Sequence, residues 1–187
     1  MRASTQGSVR SANINDNPAN RIAAPLTQQS YRPITGSVIY SSHFGNGVID
    51  EKSYCEILIK NSNSDTDAVV IFKNIRTGRV VRSIYIRAGD SYTAKNFPLG
   101  TYELKCRFGN SWSSFKDNGV GKPKGGFLED ETFSAATKAK DYFTFEQTET
   151  KTSKGINYQY SSDEVTLYKV QGGNMETKSI TPDYFFD

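Results

Sequence analysis

One histidine, two cysteines and one tryptophan are the rare side chains of this 187-residue chain, and each tests a different chemistry. His43 stands in Ser-Ser-His-Phe-Gly-Asn-Gly with no second histidine anywhere. A nucleophile–base pair or a zinc site needs further ligands or bases beside it, so a turn histidine is expected. Cys55 and Cys106 lie outside any Cys-x-x-Cys motif and have no accompanying metal set. Both fall on inward faces of expected strands, which fits an inter-strand disulfide or two buried thiols. We expect free thiols.

Three further motifs fail on their own chemistry. Gly119-Val-Gly-Lys-Pro-Lys-Gly-Gly126 resembles a phosphate loop, but Pro123 occupies the place of the hydroxyl that would hold magnesium. Asn61, Asn63, Asp65 and Asp67 alternate like the start of a calcium loop, yet the sixth and twelfth positions are Thr66 and Phe72. That loop needs glycine and glutamate there, so an Asx-rich connection is expected. The carboxylates Asp50-Glu51 and Glu129-Asp130-Glu131 sit among loop-type residues. Glycosidase chemistry needs two carboxylates about 5–10 Å apart across a cleft, which spacing along the chain does not supply. No catalytic residue, no metal ligand and no cofactor is therefore assigned.

Aromatic side chains offer more. Trp112 and Phe115 fall in a Gly- and Ser-rich stretch, and Tyr158 and Tyr160 share one face of a short strand. Exposed, they could stack on sugar rings or anchor a protein partner; buried, they would cap the core. Tyr184, Phe185 and Phe186 precede Asp187 in a segment that either packs on its own sheet or enters a groove or sheet edge elsewhere.

The elements that must position these residues are strands. Tyr, Phe, Thr, Ser, Val and Ile are plentiful and leucine is scarce, a β-favouring composition. Short runs begin at Ser37–Tyr40 and are separated by Gly, Pro and Asn turns. Cys55, Ile57 and Ile59 alternate onto one face, whereas Ala68–Phe72 is apolar on both, the pattern of a strand covered on both sides. Asn74-Ile-Arg-Thr-Gly78 predicts a hairpin turn into Arg79–Arg87. In Thr101–Phe108 an inward row of Tyr102, Leu104, Cys106 and Phe108 faces away from Glu103, Lys105 and Arg107. Residues 109–126 read as a long loop, Asp130–Lys140 as one short helix, and Tyr142–Thr148, Ile156–Tyr160 and Glu164–Val170 as an antiparallel meander. An edge strand is expected around Thr177–Ile180.

Within this pattern, Val69–Phe108 carries Thr77-Gly78, Ile86-Arg-Ala-Gly-Asp90 and Phe97-Pro-Leu-Gly-Thr-Tyr-Glu-Leu-Lys105. It resembles the prealbumin-like, carboxypeptidase-regulatory type of β-sandwich, in which a Pro-x-Gly-x-Tyr turn leads into a central strand. The resemblance covers residues 69–108 and implies a scaffolding or binding module without catalytic residues.

Charge is unevenly placed. Residues 1–32 hold Arg2, Arg10, Arg21 and Arg32 against Asp16, which accounts for the whole net charge of +3. The rest is neutral. Residues 1–33 are expected to be a flexible arm, disordered or ordered by a partner, and 34–187 one β-sandwich domain ending in the aromatic tail. Four dispersed arginines do not make a nucleic-acid site. The mean hydropathy is −0.59, and no apolar run approaches the roughly 20 residues of a membrane span. Met1 is not followed by a secretory apolar region, which favours a cytoplasmic or virion-associated chain; one trimmed of its leader would read the same.

The expected protein is an all-β, antiparallel Greek-key sandwich. Its expected work is non-enzymatic: structural or protein-binding, as an accessory subunit of a virion, envelope or secretion complex, with protein partners that include identical subunits. A glycan-binding module using the loop aromatics is the alternative.

Overall fold

The computed structural model describes residues 31–62, 65–136, 139–168 and 177–187. Eleven strands are found there: β1 (Glu56–Asn61), β2 (Asp67–Asn74), β3 (Val80–Ile86), β4 (Ser91–Ala94), β5 (Gly100–Ser113), β6 (Gly126–Ala136), β7 (Phe143–Phe145), β8 (Gln147–Thr152), β9 (Gly155–Tyr160), β10 (Ser162–Leu167) and β11 (Thr177–Ser179). Two short helices, α1 (Ser41–Phe44) and α2 (Pro182–Phe186), complete the set with a 3-10 turn at Ala139–Asp141. The chain is all-β.

Two sheets face one another. The larger runs β11-β6-β5-β2-β3, with β7 beside the start of β5; the smaller runs β10-β1-β4. Non-consecutive neighbours, β2 beside β5 and β1 beside β4, are the inter-sheet crossovers of a Greek-key arrangement. Pairing is antiparallel except between β1 and β10, which run parallel from Glu56↔Ser162 to Asn61↔Leu167. That pair replaces the last leg of the expected meander. The strands before it, β8 and β9, leave the sandwich as a separate hairpin.

The core follows from side-chain alternation. Register pairs Ala68↔Phe108, Val70↔Cys106 and Phe72↔Leu104 point inward together. They meet Cys55, Ile57 and Ile59 of the opposite sheet, and Val165 and Leu167 of β10. Both cysteines are free and buried in this cluster. Burial pushes the Cys106 thiol up to about 12, which keeps it protonated. At the entrance to β5, Gly100 takes φ 140° and the Tyr102 hydroxyl donates to the Pro98 carbonyl at 2.9 Å. The Pro-x-Gly-x-Tyr turn thus starts the inward row.

The larger sheet is covered on its other face too. Val69, Ile71, Tyr85, Trp112 and Phe127 pack there under Ile39, Tyr40, Phe185 and Phe186. Its edges are also occupied. Residues 36–39 bond along β3, with Gly36 N–H on the Tyr85 carbonyl at 2.8 Å and Ile39 N–H on the Ser83 carbonyl at 3.1 Å. At the opposite edge β11 pairs with the end of β6. Strand edges of this kind template unwanted pairing unless covered.

Two expectations are corrected. Trp112 is not in a loop, because β5 continues through Ser113 and pairs Trp112 with Phe127 of β6. The helix expected over Asp130–Lys140 is replaced by strand as far as Ala136, where β6 is held by β5 on one side and β11 on the other, with the 3-10 turn starting at Ala139. The helical spacing of Phe133 and Ala136 loses to inter-strand hydrogen bonding. Gly109 lies in the β5–β6 irregularity, where an added Cβ would fall 2.4 Å from Phe127 Cβ and 2.9 Å from the Glu129 carbonyl oxygen. Gly109→Ala should cost about 1–3 kcal/mol as an overpacking change. Thermal unfolding checks it, and an unaltered midpoint would contradict the close approach.

Candidate functional site

Tyr158 and Tyr160 sit on one face of the projecting hairpin, where a third tyrosine joins them. Tyr54, from the segment leading into β1, lies with its ring 4.9 Å from that of Tyr158 and 5.8 Å from that of Tyr160. Tyr54, Tyr158 and Tyr160 are 49%, 38% and 50% exposed, with Ile156 at 51% on the same face. Cross-strand register places Gln147 beside Tyr160, Glu149 beside Tyr158 and Lys151 beside Ile156. The face therefore joins aromatic surface to amide, carboxylate and ammonium groups. The Glu149 carboxylate raises the Tyr158 phenol above its ordinary value.

The hairpin base is fixed to the sandwich. Gln147 accepts from Tyr54 N–H at 2.7 Å and donates to the Lys52 carbonyl at 3.0 Å. Glu146 N–H donates to Ser161 Oγ at 2.9 Å, and the Cys55 thiol donates to the Glu146 carbonyl. Beyond this base nearly every residue of β8 and β9 is exposed. A bare two-stranded hairpin is marginal in water, so a fixed one with an uncovered aromatic face is suited to meeting a partner.

The other aromatic candidates do not join this patch. Trp112 is 5% exposed and packs edge-on against Tyr85 and Phe127 at 5.3 and 5.2 Å. Phe115 stays exposed after β5 ends. Phe185 and Phe186 are buried on the chain's own large sheet, and Tyr184 donates its hydroxyl to Glu103 at 2.8 Å. That bond, with burial, pushes the Tyr184 phenol up to about 12.

Arg2, Arg10 and Arg21 lie outside the described residues, as does the expected arm over 1–30. Arg32 and Pro33 are described, and Arg32 is anchored rather than free: its Nε and Nη2 reach Asp67 at 2.7 and 2.5 Å. The same carboxylate accepts from the Tyr85 hydroxyl at 2.6 Å and from Ala88 N–H at 2.7 Å. A cleft of about 300 Å³ opens beside it, between Arg32, Asp65, Asn110 and Trp112.

Burial alone would raise Asp67, but hydrogen bonds from Arg32, Tyr85 and Ala88 outweigh it and hold the carboxyl below its ordinary value of 3.8. The stability this gives is complete above that value and is lost as pH falls through the depressed one. Asp67→Asn should cost about 1.5–3 kcal/mol at neutral pH, with the gap from the parent chain closing in strong acid. A gap independent of pH would mean that the charge of Asp67 contributes nothing.

The rejected motifs are occupied with structural work. Asn61 is buried, its amide donating to the Thr66 carbonyl at 2.9 Å. In the Gly-rich loop, Asn118 donates to the Pro123 and Gly125 carbonyls at 2.6 and 2.8 Å, and Lys122 pairs with Asp183. His43 is exposed on α1 against Phe44 and Phe186. Glu131 is ion-paired with Arg107 and Lys116 at 2.6 and 2.7 Å. Among the described residues no group of three or more His, Cys, Asp or Glu side chains is placed to hold a metal ion. No described helix is long and apolar enough to cross a membrane.

Tyr54 is the residue that sequence reading passed over. Its signal lay only in long-range pairing, since β1 brings it beside a hairpin near the other end of the chain. No family model, curated protein or solved structure matches this chain.

Proposed function

We propose that this chain is a non-enzymatic structural or protein-binding β-sandwich, an accessory subunit of a larger assembly of the virion, envelope or secretion type. The carrying observation is the uncovered Tyr54–Tyr158–Tyr160 face on a hairpin clamped at its base. Tyrosines combine apolar area with a hydrogen-bonding tip, the chemistry of protein interface anchors. Among the described residues the hairpin's two outer strand edges have no partner strand, which would let them add another. The neutral composition of residues 33–187 and the prealbumin-like pattern of 69–108 support the same reading, and identical copies are the first partner to test.

Light scattering on the full chain, against a chain with Tyr158→Ser and Tyr160→Ser, tests it. An oligomer that the double substitution reduces to monomer supports the reading. Identical masses and identical partner binding for the two chains would overturn it, as would turnover in a broad substrate panel.

Glycan binding is the second reading, favoured by Glu149 and Gln147 flanking the tyrosine rings. Trp112, being buried, has no part in it. Glycan-array retention that is lost with the two tyrosines would select this reading over protein docking.

A further inference from the structure

The chain contains the sequence Asn-Gly-Val twice, at Asn46-Gly47-Val48 and at Asn118-Gly119-Val120, and the fold treats the two in opposite ways. Asn-Gly is the pair in which a main-chain nitrogen most readily attacks the preceding side-chain amide, because glycine has no Cβ to obstruct ring closure. Asn118 is tied down on all sides. Its Nδ2 donates to the Pro123 and Gly125 carbonyls at 2.6 and 2.8 Å, and its Oδ1 accepts from Arg107 Nη2 at 2.8 Å. The Gly119 N–H donates to Asp117 Oδ1 at 2.9 Å. Ring closure there must first break these bonds.

Asn46 is the reverse case. It is exposed at a bend, between Gly45 at φ 80° and Gly47 at φ 91°. Among the described residues neither its side-chain amide nor the Gly47 N–H has a hydrogen-bond partner. The Arg82 guanidinium stands close by, with Nη1 3.7 Å from the place a Gly47 Cβ would take. Its own bonds run to the Val81, Lys95 and Asn96 carbonyls at 3.1, 3.1 and 3.2 Å, and among the described residues no carboxylate pairs with it. A positive charge held beside Gly47 favours the deprotonated amide, which is the form that attacks.

We propose that Asn46 is a site of spontaneous covalent modification, cyclising with Gly47 and ending as aspartate or isoaspartate, while the fold keeps Asn118 intact. The Gly47 nitrogen gives its proton to water and bonds to Asn46 Cγ. The Cγ–Nδ2 bond breaks, and Nδ2 takes a proton from water and leaves as ammonia. Water then opens the cyclic imide at either carbonyl, so no oxidant or reductant is needed. Both products place a carboxylate near Arg82. Isoaspartate also routes the main chain through the former side-chain methylene, lengthening the strap between α1 and Val48. The Val48 N–H bonds the Val81 carbonyl at 2.9 Å and, with residues 36–39, covers the outer edge of β3. Modification at Asn46 therefore loosens a cover over a sheet edge.

The full chain is incubated folded at neutral pH, and in parallel in concentrated urea. Peptide mapping by mass spectrometry, with aspartate and isoaspartate forms separated by chromatography, then reads each site. In the folded chain, conversion at Asn46 should exceed that at Asn118 by about tenfold or more, the factor set by losing one hydrogen bond to a charged group. In urea the two rates should draw together, because Gly-Val follows both asparagines. Asn46→Gln, whose longer side chain must close a larger ring, should stop conversion at that position and leave Asn118 unchanged. Equal conversion of the two sites in the folded chain would overturn the proposal. So would an Asn46 that stays intact in the folded chain, whether or not it converts in urea. Tyr54, Tyr158 and Tyr160 are untouched by these measurements, whose outcome does not depend on partner docking.

Discussion

Arg107→Met should lower stability by about 3–5 kcal/mol, the cost of breaking a buried ion pair by removing one partner. For a protein of this size that corresponds to a fall of roughly 6–20 °C in the melting temperature. The guanidinium is fully buried and uses every side of its fork. Nε donates to Glu131 at 2.8 Å, Nη1 to the Tyr40 hydroxyl at 2.5 Å and the Gly125 carbonyl at 3.0 Å, and Nη2 to Asn118 at 2.8 Å. Phe133 and Phe186 rings lie 5.1 and 5.6 Å from its centre. Methionine fills much of the volume but leaves Tyr40, Asn118 and the Gly125 carbonyl without their shared donor. Lysine should rescue little, since one ammonium cannot span four acceptors. Because the same side chain ties the 114–125 loop to the aromatic seat of α2, limited proteolysis should cut that loop earlier in the variant. Gly126→Ala is an independent probe, as its Cβ would fall 1.9 Å from Arg107 Nη2. A melting temperature within two or three degrees of the parent for both variants would show that the network carries no net stability.

The second large effect is expected on association rather than folding. Tyr158→Ser with Tyr160→Ser should weaken partner binding by about 100- to 1000-fold, from roughly 2 kcal/mol for each interface anchor at about tenfold per 1.4 kcal/mol. Stability should move by no more than about 0.5 kcal/mol, because exposed side chains away from caps and core contribute little. The split between the two readouts is the test. Tyr54→Ser belongs with them, since its ring touches both others, although it sits outside the hairpin. Equal losses in binding and in melting temperature would mean that the three rings are a small local core and not a contact surface.

Much of the fold was legible in the residues. Alternation placed Cys55, Ile57 and Ile59 on one face, and the unbroken apolar run Ala68–Phe72 announced a strand covered twice. Gly78, at φ 68°, closes the expected β2–β3 turn. The short strand expected near Thr177–Ile180 is β11. Such signals are local: a two-residue period sorts side chains to opposite faces whatever the rest of the chain does.

What covers each face was decided only by tertiary structure. Glu103, Lys105 and Arg107 alternate as a solvent row would, yet α2 and the 114–125 loop close over them. Phe133 and Ala136 keep helical spacing but are extended, because β5 and β11 supply hydrogen bonds on both sides of β6. Trp112 stands among glycines and serines, yet its neighbours across the sheet continue the strand through it. Tyr54 and Tyr158 come together because the segment leading into β1 is tied to the base of the hairpin by the bonds of Gln147. Sequence by itself determined the β class, the inward rows and the lack of a recognisable catalytic motif. Burial of the charged row, seating of the aromatic tail and gathering of three tyrosines depended on contacts between distant segments, whose strength no local spacing encodes.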